Sequence, residues 1–246
     1  MKLLTMFTGI FIMTTMLCTG YKQNMYTLCE LSSNNNVNIV ENSINKDINY
    51  LKEDLKIPQL EGGKDSNKLS EINEKINSDI LTKLNEAEKS ADEYYGQLKT
   101  EAPKFPFEVY SRYKVTEDSN SIISIYNDYY EFLGGAHGIT IRTSYTIDKE
   151  EEKLLSLDDL FVSGYDYKSV INGEIKKKIA DSPEKYFESA DKFKGIDDNQ
   201  GYYIEDDAIV IYYQQYDIAP YVAGIPEFKI QLNKFGPSYK YISAKV

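Results

Sequence analysis

His137 is the only histidine of the chain, and an imidazole is the side chain best suited to proton transfer near neutral pH. It lies in a turn, Gly134-Gly135-Ala136-His137-Gly138, between two strand-like segments. In a hydrolase, such a residue would act as a general base. No Ser or Cys stands in a recognisable nucleophile elbow, however. The pattern therefore favours a structural turn with three glycines at positive φ, and a hydrolase that uses His137 is kept as a minor alternative.

Adjacent carboxylates are the second candidate for chemistry, because paired acids can hydrolyse glycosidic bonds. Asp158 and Asp159 are typical of a helix first turn, where the helix dipole favours negative charge. Glu205-Asp206-Asp207 has the character of a hairpin turn. With 39 Asp and Glu in the chain, neighbouring acids are expected by chance. We therefore predict no catalytic residue among these pairs.

Metal and cofactor sites are also not predicted. One His and two Cys are too few for the usual zinc sites. No acidic run has the alternating spacing of a calcium loop, and no glycine-rich segment has the strand–loop–helix context of a phosphate cradle.

A tyrosine-rich segment near the C-terminus points to binding. The chain has 22 Tyr and no Trp. Tyrosine combines an apolar ring with a polar tip, and this suits contact surfaces that also meet water. Strand alternation predicts that some of these rings are exposed, the rest replacing Trp in a core. Rings bordered by acids suit a cationic protein, with a sugar platform as the alternative. The predicted binding residues are Tyr202, Tyr203, Glu205, Asp206, Tyr212, Tyr213, Tyr216, Asp217 and Tyr221.

Composition and charge narrow the class of protein. The 246 residues are 41% hydrophobic and 27% charged, which is typical of a globular protein. The formal net charge of −11 is opposite to the cationic footprint of a duplex nucleic-acid binder. We therefore expect no nucleic-acid partner.

The first 20 residues have the features of a targeting segment. Lys2 precedes an uncharged apolar stretch, Leu3 to Leu17, which ends in small residues at Cys18-Thr19-Gly20. This predicts a secretory signal peptide, with an uncleaved membrane anchor or lipid attachment at Cys18 as alternatives. All three place the protein outside the cytoplasm, either secreted or associated with the membrane or cell wall.

The remaining chain has alternating strand-like and helix-like patterns. Residues 21–47 are polar and Asn-rich and are predicted to be a linker. Apolar residues at three- and four-residue steps from Leu69 to Ala91 predict a long amphipathic helix, capped by Asp65 or Ser66. A second helix is predicted after Asp166. Three strands between 107 and 147 and two more from 208 to 232 complete the pattern, with a loose tail at 237–246. The predicted class is α+β, with antiparallel sheets and amphipathic helices packed on one side.

Several motifs together resemble a known family. They are the segment from Tyr129 to Gly138, the sequence Phe193-Lys194-Gly195-Ile196, and the tyrosine-rich stretch from Tyr202 through Ala219-Pro220-Tyr221 to Pro226. The chain resembles the paired extracytoplasmic domains of PdaC-type peptidoglycan deacetylases and RsiV-type anti-sigma factors. The resemblance implies a PdaC N-terminal-like domain at 48–148 and an RsiV-ectodomain-like domain at 149–236, packed as one unit.

The resemblance also implies a function. The RsiV-type ectodomain binds lysozyme, whereas the deacetylase metal ligands have no counterpart in this sequence. We therefore expect a non-catalytic module of the cell envelope that binds or senses a cationic wall-active protein such as lysozyme. A peptidoglycan-binding module is the alternative.

Overall fold

A computed structural model describes residues 36–95 and 105–241 of the chain. This part has α+β architecture, with two sheets and two α-helices, as the sequence predicted. The predicted targeting segment 1–20 lies outside the described residues. Among those described, no helix has the length and apolar character that crossing a membrane requires.

The first sheet contains six strands in chain order. Its strands are β1 (Val37–Ile48), β2 (Leu51–Gly62), β3 (Phe107–Asp118), β4 (Ile122–Phe132), β5 (Ile139–Asp148) and β6 (Lys153–Leu154). Neighbouring strands are antiparallel except β2 and β3, which pair in parallel from Leu51 and Phe107 onwards. The predicted class with antiparallel sheets is thus confirmed, and the parallel pair of β2 and β3 is an addition that the sequence pattern did not indicate. A long helix connects β2 to β3, and such a crossover lets the chain return in the same direction.

That helix is α1 (Ser66–Tyr95), and it agrees with the prediction. Asp65 is its cap, because its Oδ1 accepts a hydrogen bond from the Asn67 backbone N–H at 2.9 Å. The helix buries an apolar stripe against the sheet: Leu69, Ile72, Ile76, Ile80, Leu84, Ala87 and Ala91. This stripe and the sheet residues beneath it form the first core.

The predicted linker 21–47 is wrong from residue 37 onwards, because β1 begins there. Ile39, Ile44 and Ile48 pack against the first core. Polar residues between them, such as Asn42, are exposed. Because β1 is mostly polar and its apolar residues are few and irregularly spaced, the sequence pattern did not indicate a strand there. The rest of the predicted linker, residues 21–35, lies outside the described residues.

The second sheet has the order β7 (Tyr202–Glu205), β8 (Ala208–Tyr212) and β9 (Glu227–Gln231), all antiparallel. Helix α2 (Tyr167–Asp181) packs on it and is capped as predicted, with Ser169 N–H donating to Asp166 Oδ1 at 3.1 Å. The predicted hairpin turn is confirmed, because Asp206 and Asp207 have φ of 48° and 57°.

The predicted loose tail is wrong for residues 237–241. Tyr239 is only 2% exposed and forms an antiparallel bridge with Phe161. Backbone bonds from Val162 N–H to the Ser238 carbonyl and from Lys240 N–H to the Leu160 carbonyl, both 2.9 Å long, hold the segment in place. Burial of the aromatic ring is what fixes this end of the chain. Residues 242–246 of the predicted tail lie outside the described residues.

Candidate binding surface

An exposed aromatic group forms where the loop between β8 and β9 meets the turn between β4 and β5. The Tyr221 ring stacks on the His137 imidazole with centroids 4.0 Å apart. Tyr216 lies beside both, with its ring 5.7 Å from Tyr221 and its hydroxyl 3.4 Å from His137 Nε2. Ala136 is exposed, and Val222 is 91% exposed. We call these five residues the composite patch: Ala136, His137, Tyr216, Tyr221 and Val222.

The glycines of the β4–β5 turn place His137 in this patch. Gly134 and Gly135 have φ of 93° and 91°, as predicted for a structural turn, but the prediction of positive φ is wrong for the third glycine, Gly138. Gly138 has a different role, because a Cβ there would lie 2.5 Å from the Tyr130 ring and from the Glu131 carbonyl oxygen. The missing side chain lets the turn pack closely, and this brings His137 Nδ1 to 3.0 Å from the Gly138 carbonyl.

Side-chain amides attach the β8–β9 loop to the outer edge of β5. Gln215 Oε1 accepts from Thr140 N–H at 2.8 Å, and Gln214 Oε1 accepts from Arg142 N–H at 2.9 Å. Gln214 Nε2 also donates to the Arg142 carbonyl at 2.7 Å. Tyr221 completes the attachment, since its hydroxyl donates to the Gly138 carbonyl at 2.9 Å. These bonds satisfy edge groups that a further strand would otherwise satisfy. Sequence reasoning missed both glutamines.

Behind the patch, Arg142 joins the two sheets. Its side chain is 8% exposed and binds Asp128 on β4 through two bonds of 2.6 and 2.7 Å, and Glu227 on β9. The guanidinium lies 3.8 Å from the centroid of the Tyr126 ring. Burial lowers the pKa of Arg142, but the bonds to Asp128 and Glu227 raise it by more, so the group stays charged. Sequence reasoning did not single out this residue.

Three of the six predicted tyrosines are buried, so the alternative of a tyrosine-rich core holds for half of them. Tyr202, Tyr203 and Tyr212 are each less than a tenth exposed. The reason is that both faces of β8 are covered. Apolar residues of α2 pack on one face, and Tyr203 and Tyr212 pack with Tyr126 of the first sheet on the other. Strand alternation therefore points Tyr202 into the core beneath α2, and Tyr203 and Tyr212 into the contact between the two sheets. Neither side faces solvent.

The predicted acidic residues lie in two different places. Asp217 is exposed and lies directly after Tyr216 in the loop. Glu205 and Asp206 lie at the opposite end of the second sheet, where Glu205 pairs with Lys114 at 2.6 Å and Asp206 with Lys229 at 2.8 Å. Tyr213 is half-buried and packs edge-on against Phe193. The structure thus gathers only Tyr216, Asp217 and Tyr221 near His137.

The surroundings of His137 bear on the hydrolase alternative. Its contacts in the described part of the chain are the Gly138 carbonyl and the Tyr216 and Tyr221 rings, with no carboxylate among them. A general base paired with an acid is therefore not assembled there. Across the described ranges, no three His, Cys, Asp or Glu side chains cluster closely enough to hold a metal ion.

Comparison with known proteins identifies two family models on the chain. The family described as Deacetylase PdaC matches residues 44–140, and the family described as Protein of unknown function (DUF3298) matches residues 158–233. His137 thus belongs to the first match, and Tyr216 and Tyr221 belong to the second. The composite patch is built from both.

Two Bacillus subtilis proteins are similar in sequence. The anti-sigma-V factor RsiV is 29% identical over 185 residues, which are 72% of this chain and 61% of RsiV. The peptidoglycan-N-acetylmuramic acid deacetylase PdaC is 33% identical over 55 residues, which are 22% of this chain and 12% of PdaC. The chain therefore spans about three fifths of the length of RsiV and a small part of PdaC.

Two solved structures share the fold. A DUF3298 family member from Bacteroides fragilis has a TM-score of 0.62 at 18% identity, over 82% of this chain and 93% of that one. A DUF3298 family protein from Pseudomonas aeruginosa has a TM-score of 0.54 at 20% identity, over 83% of this chain and 94% of that one. The predicted resemblance is confirmed.

Proposed function

We propose that this chain is a non-catalytic binding module of the cell envelope, because the PdaC and DUF3298 family models match consecutive parts of it and the anti-sigma-V factor RsiV is similar over 72% of it. Its proposed ligand is a cationic wall-active protein such as lysozyme. The proposed location is outside the cytoplasm, secreted or held at the membrane or wall.

The composite patch is the observation that carries this proposal. Exposed tyrosines are enriched among the residues that dominate binding energy at protein interfaces, because they bury a large ring at little entropic cost. Tyr216 is 49% exposed and Val222 is 91% exposed, so both have apolar surface to bury against a partner. The His137 stack and the bond to Gly138 hold Tyr221 in place before binding, and this reduces the entropy lost on association.

Charge supports a cationic partner over a neutral one. The net charge of −11 attracts a basic protein at long range. Close to the patch, Asp217 is exposed directly after Tyr216. Carboxylates at the border of a patch increase the association rate more than the final affinity.

A lysozyme titration tests the proposal. We expect binding that weakens as salt rises from low to moderate concentration, because the steering is electrostatic. Tyr221→Ala and Val222→Ser should weaken binding, the tyrosine variant by about tenfold or more, as for a central interface residue. Val162→Ser is the matched control, because Val162 is also exposed (45%) but lies outside the patch.

Three results would contradict this function. If lysozyme does not associate at either salt concentration, it is not the partner. If the chain sediments with purified cell walls in the absence of any protein partner, and Tyr221→Ala abolishes that, the patch binds glycan instead. Release of soluble fragments from walls by the wild type but not by His137→Gln would revive the hydrolase alternative.

A further inference from the structure

An apolar cavity of about 230 Å³ lies between the end of α2, the segment 186–195 and the start of the β8–β9 loop. Its two walls are joined by a backbone hydrogen bond of 2.9 Å from Phe187 N–H to the Ile218 carbonyl. Phe187 is 56% exposed, so the cavity has an opening to solvent beside it. The lining is aromatic and aliphatic: Ile179, Tyr186, Phe187, Phe193, Tyr213 and Ile218.

Tyr213 is one of the lining residues, and its hydroxyl is the feature that points to a ligand. The oxygen is shielded from solvent, yet it has no hydrogen-bond partner among the described residues. A buried hydroxyl without a partner is unfavourable, and a ligand with a hydrogen-bond acceptor would relieve this. Burial raises the pKa of Tyr213, and Asp197 and Asp217 raise it further. The hydroxyl therefore stays neutral and can donate a hydrogen bond, whereas burial of an anionic ligand in this apolar cavity would be unfavourable.

The size and rim of the cavity restrict the ligand further. A cavity of about 150 Å³ lined by apolar side chains is large enough to bind benzene, so about 230 Å³ holds a ring with a small substituent. The charged residues of the lining are Glu188, Lys192, Lys194 and Asp217, two of each sign. Their charges offset each other, so the rim selects neither cations nor anions.

We propose that this cavity binds a small neutral molecule that consists of an aromatic ring or branched chain with one carbonyl oxygen. The carbonyl accepts a hydrogen bond from the Tyr213 hydroxyl, and the apolar part contacts Phe193 and Ile218. This site adjoins the composite patch through Asp217 of the β8–β9 loop, but it does not depend on the function proposed for that patch.

Three probes of similar size test the site on the full chain by NMR titration. Acetophenone has a ring and a neutral carbonyl, ethylbenzene lacks the acceptor, and benzoate is an anion. Acetophenone should shift the signals of Phe193, Tyr213 and Ile218 in a saturable way. It should bind about fivefold more tightly than ethylbenzene, the usual effect of one hydrogen bond, and benzoate should bind more weakly than acetophenone.

Tyr213→Phe should keep the fold and remove the preference for acetophenone over ethylbenzene. Tyr239→Phe is the matched control, because the Tyr239 hydroxyl is also buried without a described partner but does not line this cavity. The proposal is wrong if wild type binds neither neutral probe at millimolar concentration. It is equally wrong if Tyr213→Phe retains the preference or benzoate binds most tightly.

Discussion

At the scale of single residues, the glycine-rich turn shows that one motif contains glycines of two kinds. Gly134 and Gly135 provide positive φ, which the sequence pattern indicated. Gly138 instead provides space for the Tyr130 ring. The second role depends on a residue of the neighbouring strand, and only the folded structure reveals it. Both roles are needed to place His137 against Tyr221.

We predict that Gly138→Ala destabilises the protein by about 1–3 kcal/mol, because the new methyl group would overlap the Tyr130 ring and the Glu131 carbonyl. Gly173→Ala is the matched control. Gly173 lies exposed within α2 with no atom near its missing Cβ, so alanine there should stabilise by about 1 kcal/mol through helix propensity. Urea unfolding of both variants gives the measurement. Equal stability of the two variants would show that the close approach at Gly138 is unimportant.

At the scale of elements, side-chain amides form hydrogen bonds at sheet edges that a neighbouring strand would otherwise form. Asn73 on α1 accepts from the Leu60 N–H at 2.8 Å and donates to the Leu60 carbonyl at 2.9 Å, beyond the point where β3 stops pairing with β2. Gln214 does the same for Arg142 on β5. Such amides satisfy backbone groups at sheet edges and thereby protect the edges from pairing with other chains.

The C-terminal segment behaves as a structural element and not as a tail. We predict that Tyr239→Ala lowers the free energy of unfolding by about 3–5 kcal/mol, as for a large aromatic residue removed from a core. Tyr241→Phe should cost only about 1 kcal/mol, because it loses one hydrogen bond, 2.7 Å long, to Asp148. Thermal or urea unfolding measures both. If Tyr239→Ala were as stable as Tyr241→Phe, the C-terminal segment would not contribute to the core as proposed.

At the scale of the whole molecule, the segments matched by the two families meet through a polar and aromatic interface. Ile204 N–H on β7 donates to Ser124 Oγ on β4 at 2.9 Å, and the Tyr126 and Tyr203 rings lie 5.0 Å apart. Arg142 binds carboxylates from both sheets at the same place. The composite patch needs both segments in register, so this interface positions the binding residues.

We predict that Arg142→Met destabilises the protein by about 2–3 kcal/mol. The substitution removes a buried cation, and with it the ion pairs to Asp128 and Glu227 and the contact with the Tyr126 ring. The loss stays moderate because Asp128 and Glu227 side chains are 28% and 43% exposed and remain partly hydrated. Arg112→Met is the matched control. Its side chain is 50% exposed and pairs with Asp54 at the surface, so it should cost about 0–1 kcal/mol. Similar urea midpoints for both variants would refute the role of Arg142.

Features that depend on local periodicity and turn chemistry could be predicted from the amino-acid sequence. The stripe of α1 from Leu69 to Ala91, the cap at Asp166 and the hairpin at Asp206-Asp207 are all confirmed. Each depends on residues within a few positions of one another, so the pattern is complete in the sequence. The family motifs were likewise readable, because they are contiguous.

Tertiary structure alone decided which tyrosines form a surface. Tyr212 and Tyr216 are four residues apart, yet one is buried between the sheets and the other is half exposed beside His137. Exposure on a strand depends on what covers each face, and here the covering residues come from a different part of the chain. The parallel pairing of β2 with β3 and the burial of Tyr239 were missed for the same reason, because both depend on contacts between residues distant in sequence.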